Sequence, residues 1–167
     1  MTKMIVSILI FISAAIVQGQ GNLPRGTVEI PDGATIVVVS DSGERITIRA
    51  SEPAVQLPVG KYSLESWTME RKDQDGSIWK LTGSNVDKKG VFYIIENQEV
   101  KLPAGVPIFS SLTVSQENST YRLSHCLTGQ LSETIELTKN GSRLDAPKLN
   151  ITNADGSYQE TLNFQYG

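Results

Sequence analysis

The chain has 167 residues, a formal charge of −3 and one cysteine. No basic run exceeds two residues, so the clustered Lys and Arg that neutralise phosphates are missing and no nucleic-acid partner is expected. An intrachain disulfide is excluded by the single thiol, Cys126.

The only charge before the apolar run Met4–Val17 is Lys3. A transmembrane helix needs about 20 apolar residues, and this run of 14 is shorter. With a positive residue in front and the small Gly19 after it, residues 1–19 read as a cleavable signal peptide. Ala15-Ile16-Val17 is a less suitable cut, and an uncleaved anchor is the alternative. Export to the cell envelope or beyond is expected, with no membrane span after cleavage. About 148 residues would remain, with 14 basic against 18 acidic side chains and a net charge of −4. That length can bury a core without covalent staples.

Beyond the leader the sequence is a series of short β-rich runs broken by Gly, Pro, Asn and Asp. Gly26–Ile30 alternates and stops at Pro31-Asp32-Gly33. Thr35–Val39 is a β-branched run of the buried type, and Arg45–Arg49 alternates after Asp41-Ser42-Gly43, which predicts a hairpin. Ala54–Leu57 and Lys61–Leu64 flank a turn at Pro58-Val59-Gly60. The strand from Lys61 runs toward Arg71, turns at Asp73-Gln74-Asp75-Gly76 and returns as Ser77–Leu81. Pairing Met69 with Trp79 would place Trp67, Met69, Trp79 and Leu81 on one side. Tyr62 and Leu64 have the opposite parity, so a bulge near Glu65-Ser66 is expected to bring both pairs to one face.

Val91–Ile95 and Glu99–Leu102 follow, then Pro103-Ala-Gly-Val-Pro107, the strongest boundary signal. Beyond it are strands at Ile108–Gln116, Thr120–Thr128, Glu133–Thr138, Lys148–Thr152 and Tyr158–Phe164. Short strands at such spacing indicate a sandwich or barrel. Val55-Gln-Leu-Pro-Val-Gly60 and Val100-Lys-Leu-Pro-Ala-Gly105 echo one another, as a recurrent strand-end turn or a duplicated module.

Candidate chemistry is sparse. Asp73–Gly76 resembles half a calcium loop, but Gly stands at position four rather than six and no closing Glu follows. Both it and Asn153-Ala-Asp-Gly156 read as hairpin turns, and no metal site is expected. His125-Cys126 pairs a base with a thiol in sequence, yet neighbours on a strand point to opposite faces. No second His exists. His125 shares parity with Tyr121, Leu123 and Leu127, which suits a core or rim position, and Cys126 is expected as a buried small residue. An interchain disulfide or reactive thiol is its alternative. Trp67 and Trp79 are the speculative ligand-binding residues: an aromatic platform if exposed, core if not. Asn118, Asn140 and Asn150 fit the glycosylation acceptor pattern, which matters only in a eukaryotic producer.

The stretch Leu57-Pro-Val-Gly-Lys-Tyr-Ser-Leu64, after the strands at Thr35 and Arg45, resembles carboxypeptidase-regulatory-like or PEGA-type β modules. Lys139-Asn-Gly-Ser-Arg-Leu-Asp-Ala-Pro147 and Asn163-Phe-Gln-Tyr-Gly167 are similar to exported proteins of unknown function from planctomycete-type bacteria. The first resemblance implies a small secreted β-sandwich, and neither carries over a catalytic residue.

The expectation is therefore an all-β protein of two small β-sandwich units, immunoglobulin-like or prealbumin-like. The first would span 20–102, with a linker at 103–107 and the second unit at 108–167. Without an acid/base or metal constellation it is expected to be a non-catalytic protein, with no cofactor, that binds or assembles with a protein or glycan at the cell envelope. The alternatives are a carbohydrate-binding module using Trp67 and Trp79, or a secreted hydrolase using carboxylates such as Glu65, Glu70, Asp73 and Asp75.

Overall fold

The computed structural model describes residues 23–50 and 54–166. The leader expected at 1–19 lies outside them. No helix among the described residues is long and apolar enough to cross a membrane.

The fold is all-β. Strands β1 (Arg25–Glu29), β2 (Ala34–Ser40), β3 (Arg45–Arg49), β4 (Ala54–Pro58), β5 (Gly60–Lys72), β6 (Ile78–Ser84), β7 (Val91–Ile94) and β8 (Glu99–Lys101) precede the Pro103–Pro107 segment. Strands β9 (Phe109–Glu117), β10 (Thr120–Thr128), β11 (Thr134–Lys139), β12 (Ser142–Arg143), β13 (Lys148–Thr152) and β14 (Gln159–Asn163) follow it. The large sheet runs β3-β2-β5-β6-β11-β10-β9, with β7 added to β5 and β12 to β11. A smaller sheet, β4-β1-β8, packs on it, and β13-β14 forms a separate hairpin.

The long strand β5 organises the core. Along one edge it pairs with β2, and there Val37 faces Ser66 while Val38 faces Leu64. Glu65 is the extra residue, so the bulge expected near Glu65-Ser66 is present. Its effect is the one the parity required: Tyr62, Leu64, Trp67 and Met69 are all buried. The hairpin to β6 pairs Met69 with Leu81 and Arg71 with Trp79, not Met69 with Trp79 as expected. The closing bonds run between Asp73 and Ser77, which leaves a three-residue loop ending in Gly76 at φ +84°. Such a loop needs its last residue left-handed, a conformation cheap for Gly. A slip of two residues preserves the face, so the four side chains still share a side.

The step Pro58-Val59-Gly60 is a corner rather than a hairpin turn. It takes the chain from β4 in the small sheet to β5 in the large one. The echoing segments around Leu57 and Leu102 are strand ends on opposite sides of β1: Val55 and Val100 both pair with Val28, and both leucines are buried. One of these strands is antiparallel to β1 and the other parallel, so the two segments leave the sheet at opposite ends.

The strand pairing does not divide at 103–107. Six pairs join β11 to β6, from Thr134 with Ser84 to Lys139 with Trp79. Leu131 and Ile135 enter the same buried cluster as Val28, Ile36 and Trp67. At the level of Trp67, pairing aligns Ile48, Ile36, Trp67, Gly83 and Ile135 across five strands. The indole lies over Gly83, where an added Cβ would meet its ring at 2.3 Å. Beyond Gly83 it donates its Nε1–H to Glu133 at 2.8 Å. Glu133 is fully buried and also accepts the Leu131 N–H at 2.8 Å. Two donors thus satisfy a carboxylate that would otherwise be costly to bury.

Candidate interaction surface

The β9–β10 hairpin lies outside the two-layered core, with no buried residue from 109 to 128. The β9–β10 hairpin turns at Asn118-Ser119, with Asn118 at φ +55°, a left-handed conformation that Asn tolerates better than most residues. Paired residues share a face. One face carries Leu112, Val114, Tyr121, Leu123, His125 and Leu127, and the other carries Ser111, Thr113, Ser115, Arg122, Ser124 and Cys126. The apolar face is covered only in part. The Phe164 ring lies 5.6 Å from the His125 ring, while Leu112, Val114 and Tyr121 are 45%, 55% and 61% exposed. Nothing in 109–128 or 140–166 is buried.

The β13–β14 hairpin is likewise thin. Leu149 pairs with Leu162, and both are half-buried. Its turn is held by Asn153 Oδ1, which accepts the Tyr158 N–H, and by Asp155, which accepts the Ser157 N–H. The Ser157 N–H and hydroxyl hold the Asp155 carboxyl below its ordinary range, and the bond to Glu160 pushes the Tyr158 hydroxyl up.

Between the two hairpins β10 and β11 pair only at Thr128 with Thr134. There they bound a cleft of about 570 Å³, lined by Ser84, His125, Glu136, Leu137, Arg143 and Tyr166 among others. The Arg143 guanidinium stacks 3.6 Å from the Tyr166 ring centre, and the Tyr166 hydroxyl donates to the Leu144 carbonyl at 2.9 Å.

The residues singled out by sequence fall apart in space. Trp67 is 1% exposed and has no ring face open to a ligand. Trp79 shares its face but lies beyond the small sheet, half-buried. It donates to Asp73 Oδ2 at 2.8 Å, with the Lys139 ammonium 4.9 Å from its ring. The two indoles make no platform. His125 stands at the rim with Ser110 Oγ at 2.9 Å from its Nε2. Cys126 is exposed, against the expectation of burial, because the face it shares with Ser111 and Ser124 has no covering layer. Its sulfur is 2.9 Å from Ser111 Oγ, so thiol and imidazole have separate partners.

The carboxylates are also separately engaged. Glu65 pairs with Arg45 at 2.7 Å and Glu70 with Lys80 at 3.6 Å. Asp73 Oδ1 accepts the N–H groups of Asp75 and Ser77, while the Trp79 bond most of all holds its carboxyl below the ordinary range. Asp73–Gly76 and Asn153–Gly156 are hairpin turns, and among the described residues no group of three His, Cys, Asp or Glu is placed to hold a metal. Of the acceptor asparagines, Asn118 is at a hairpin tip, Asn140 Oδ1 accepts the Ile78 N–H, and Asn150 Oδ1 accepts the Thr161 hydroxyl.

Sequence reading missed two features. Glu133 carries no local sign of burial, since its partners are 66 residues away and in its own turn. The exposed stripe on β9 was readable only as a strand, although the Leu112–Val114 alternation is its trace. No family model, curated protein or solved structure matches the chain.

Proposed function

We propose that this is an exported, non-catalytic β-sandwich protein that binds or assembles with a protein or glycan at the cell envelope. The observation that carries the reading is the β9–β10 hairpin, one face of which displays Leu112, Val114 and Tyr121 to solvent. Contiguous apolar surface of this kind marks interaction sites. Export is supported by the short apolar leader with Lys3 ahead of it. A non-catalytic role is supported by the separate partners of His125 and Cys126 and of Glu65, Glu70 and Asp73.

The test measures cosedimentation of the purified protein with isolated envelopes of its producer. Replacing both Leu112 and Val114 by Asp is expected to weaken binding at least about tenfold, a loss of roughly 1.4 kcal/mol, with the unfolding transition unchanged. Turnover of a polysaccharide, peptide or ester substrate that a point change in the mature chain abolishes would overturn the reading.

A further inference from the structure

The strand edges of this protein are not treated alike. An open edge presents unpaired N–H and C=O groups that template another strand, and proteins blunt such edges with short length, charge, proline or bulges. Here β3 has an arginine at each end, β4 closes on Pro58, and β8 is three residues long with Glu99 and Lys101. Only four residues make up β7, β12 has two, β13 begins with Lys148, and β14 contains Glu160. Inside the large sheet β10 is open beside β11 except at Thr128, but that edge carries Arg122. Among the strands that end a sheet the exception is β9: nine residues, uncharged from Phe109 to Gln116, without proline. Its inner edge pairs with β10 at nine consecutive positions without a bulge. Among the described residues no strand pairs with its outer edge, and β9 ends the large sheet.

The sequence of that edge is nearly symmetric about Thr113. Leu112 matches Val114, Ser111 matches Ser115, and Ser110 matches Gln116. A twofold interface demands such self-complementarity, because each residue i that meets j is repeated as j meeting i. Antiparallel pairing centred on Thr113 sets Leu112 beside the second copy's Val114, serine beside serine, and threonine on the axis. Apolar and hydroxyl pairs of this kind are the favourable cross-strand contacts. The one charge, Glu117, falls opposite Phe109, so no like charges meet.

We propose that β9 pairs with β9 of a second copy of this chain, antiparallel about Thr113, to make one continuous sheet through a dimer. The two apolar faces then fall on the same side, where Leu112 and Val114 of both copies form one patch. This rests on the binding-and-assembly reading above and names its partner. A heterologous partner peptide would not require the symmetry about Thr113, which is why the second copy is favoured.

Sedimentation of the purified protein over a range of concentrations is expected to show a monomer–dimer equilibrium. Thr113→Lys puts two ammonium groups face to face on the axis and should raise the dissociation constant at least about tenfold, with circular dichroism unchanged. As a second measure, Thr113→Cys in a Cys126→Ser background should give a disulfide-linked dimer on mild oxidation. Opposed strand residues bring Cα atoms within about 5.5 Å, inside disulfide range. Gln116→Cys in the same background should not cross-link, since the symmetry sets it opposite Ser110. A monomer at every concentration, or equal cross-linking at positions 113 and 116, would overturn the pairing. Envelope binding by such a monomer would leave the binding reading intact, whereas a dimer with mutable turnover would sink that reading and spare the pairing.

Discussion

Trp67 and Tyr121 sit on strands of one sheet, each in an alternating stretch, yet the first is 1% exposed and the second 61%. Their difference is the layer above them. Over β2, β5 and β7 the small sheet supplies Val28, Ile30, Leu57 and Leu102, and alternation becomes a closed core. Over β9 and β10 the cover is Phe164, just past β14, against His125, so the same pattern leaves an apolar face in water. A strand's periodicity thus states which side wants cover, while burial depends on whether another element comes to provide it.

The comparison can be broken by substitution, starting with the largest effect. Trp67→Ala should cost about 3–5 kcal/mol in urea unfolding, through lost core volume and an abandoned Glu133 carboxylate. Tyr121→Ala should stay within about 0.5 kcal/mol; comparable losses at both sites would erase the distinction between the regions. Next, Gly83→Ala drives a methyl into the Trp67 ring at 2.3 Å and should cost about 1–3 kcal/mol. Gly83→Ala with a wild-type midpoint would show that the indole can move aside.

Glu133→Ala should cost about 1–3 kcal/mol, because the Trp67 and Leu131 N–H groups stay buried without an acceptor. Glu133→Gln, which keeps an acceptor oxygen, should recover part of that loss, and an equal cost for both variants would argue against the hydrogen bonds as its source. The smallest effect concerns the exposed turns. Asp73 is depressed below its ordinary 3.8 by the Trp79 hydrogen bond. A depressed carboxyl contributes stability above its unfolded value, and that contribution is lost as pH falls through the folded value. Asp73→Asn should therefore be less stable than wild type above pH 3.8, with the gap closing at lower pH. A gap that persists unchanged into acid would mean the charge is not its origin.

Much of the fold was legible in the chain. Turn chemistry at Gly43, Gly76 and Asn118, with alternation between the turns, located nearly every strand. Even the bulge at Glu65 was readable, since Tyr62 and Leu64 could join Trp67 and Met69 on one face only by a reset of parity. The Met69 register was not, because loops of different length satisfy the same alternation. Nor was the merging of strands across 103–107. Proline and glycine there announce a break in the strand, and a break in a strand is silent about which sheet the next one joins. Among the site residues, the separation of His125 from Cys126 followed from strand parity, whereas the exposure of Cys126 and the burial of Glu133 did not.

What the sequence determined by itself is local: where the backbone extends, where it bends, and which side chains share a face. Backbone sterics and the two-residue repeat enforce these within a few residues. The tertiary structure alone decided that β6 meets β11, that Trp67 finds Glu133, and that β9 is left at an open edge. Those outcomes depend on contacts between residues far apart in the chain, for which many pairings satisfy the same local pattern. Packing selects among them by which faces can be covered together.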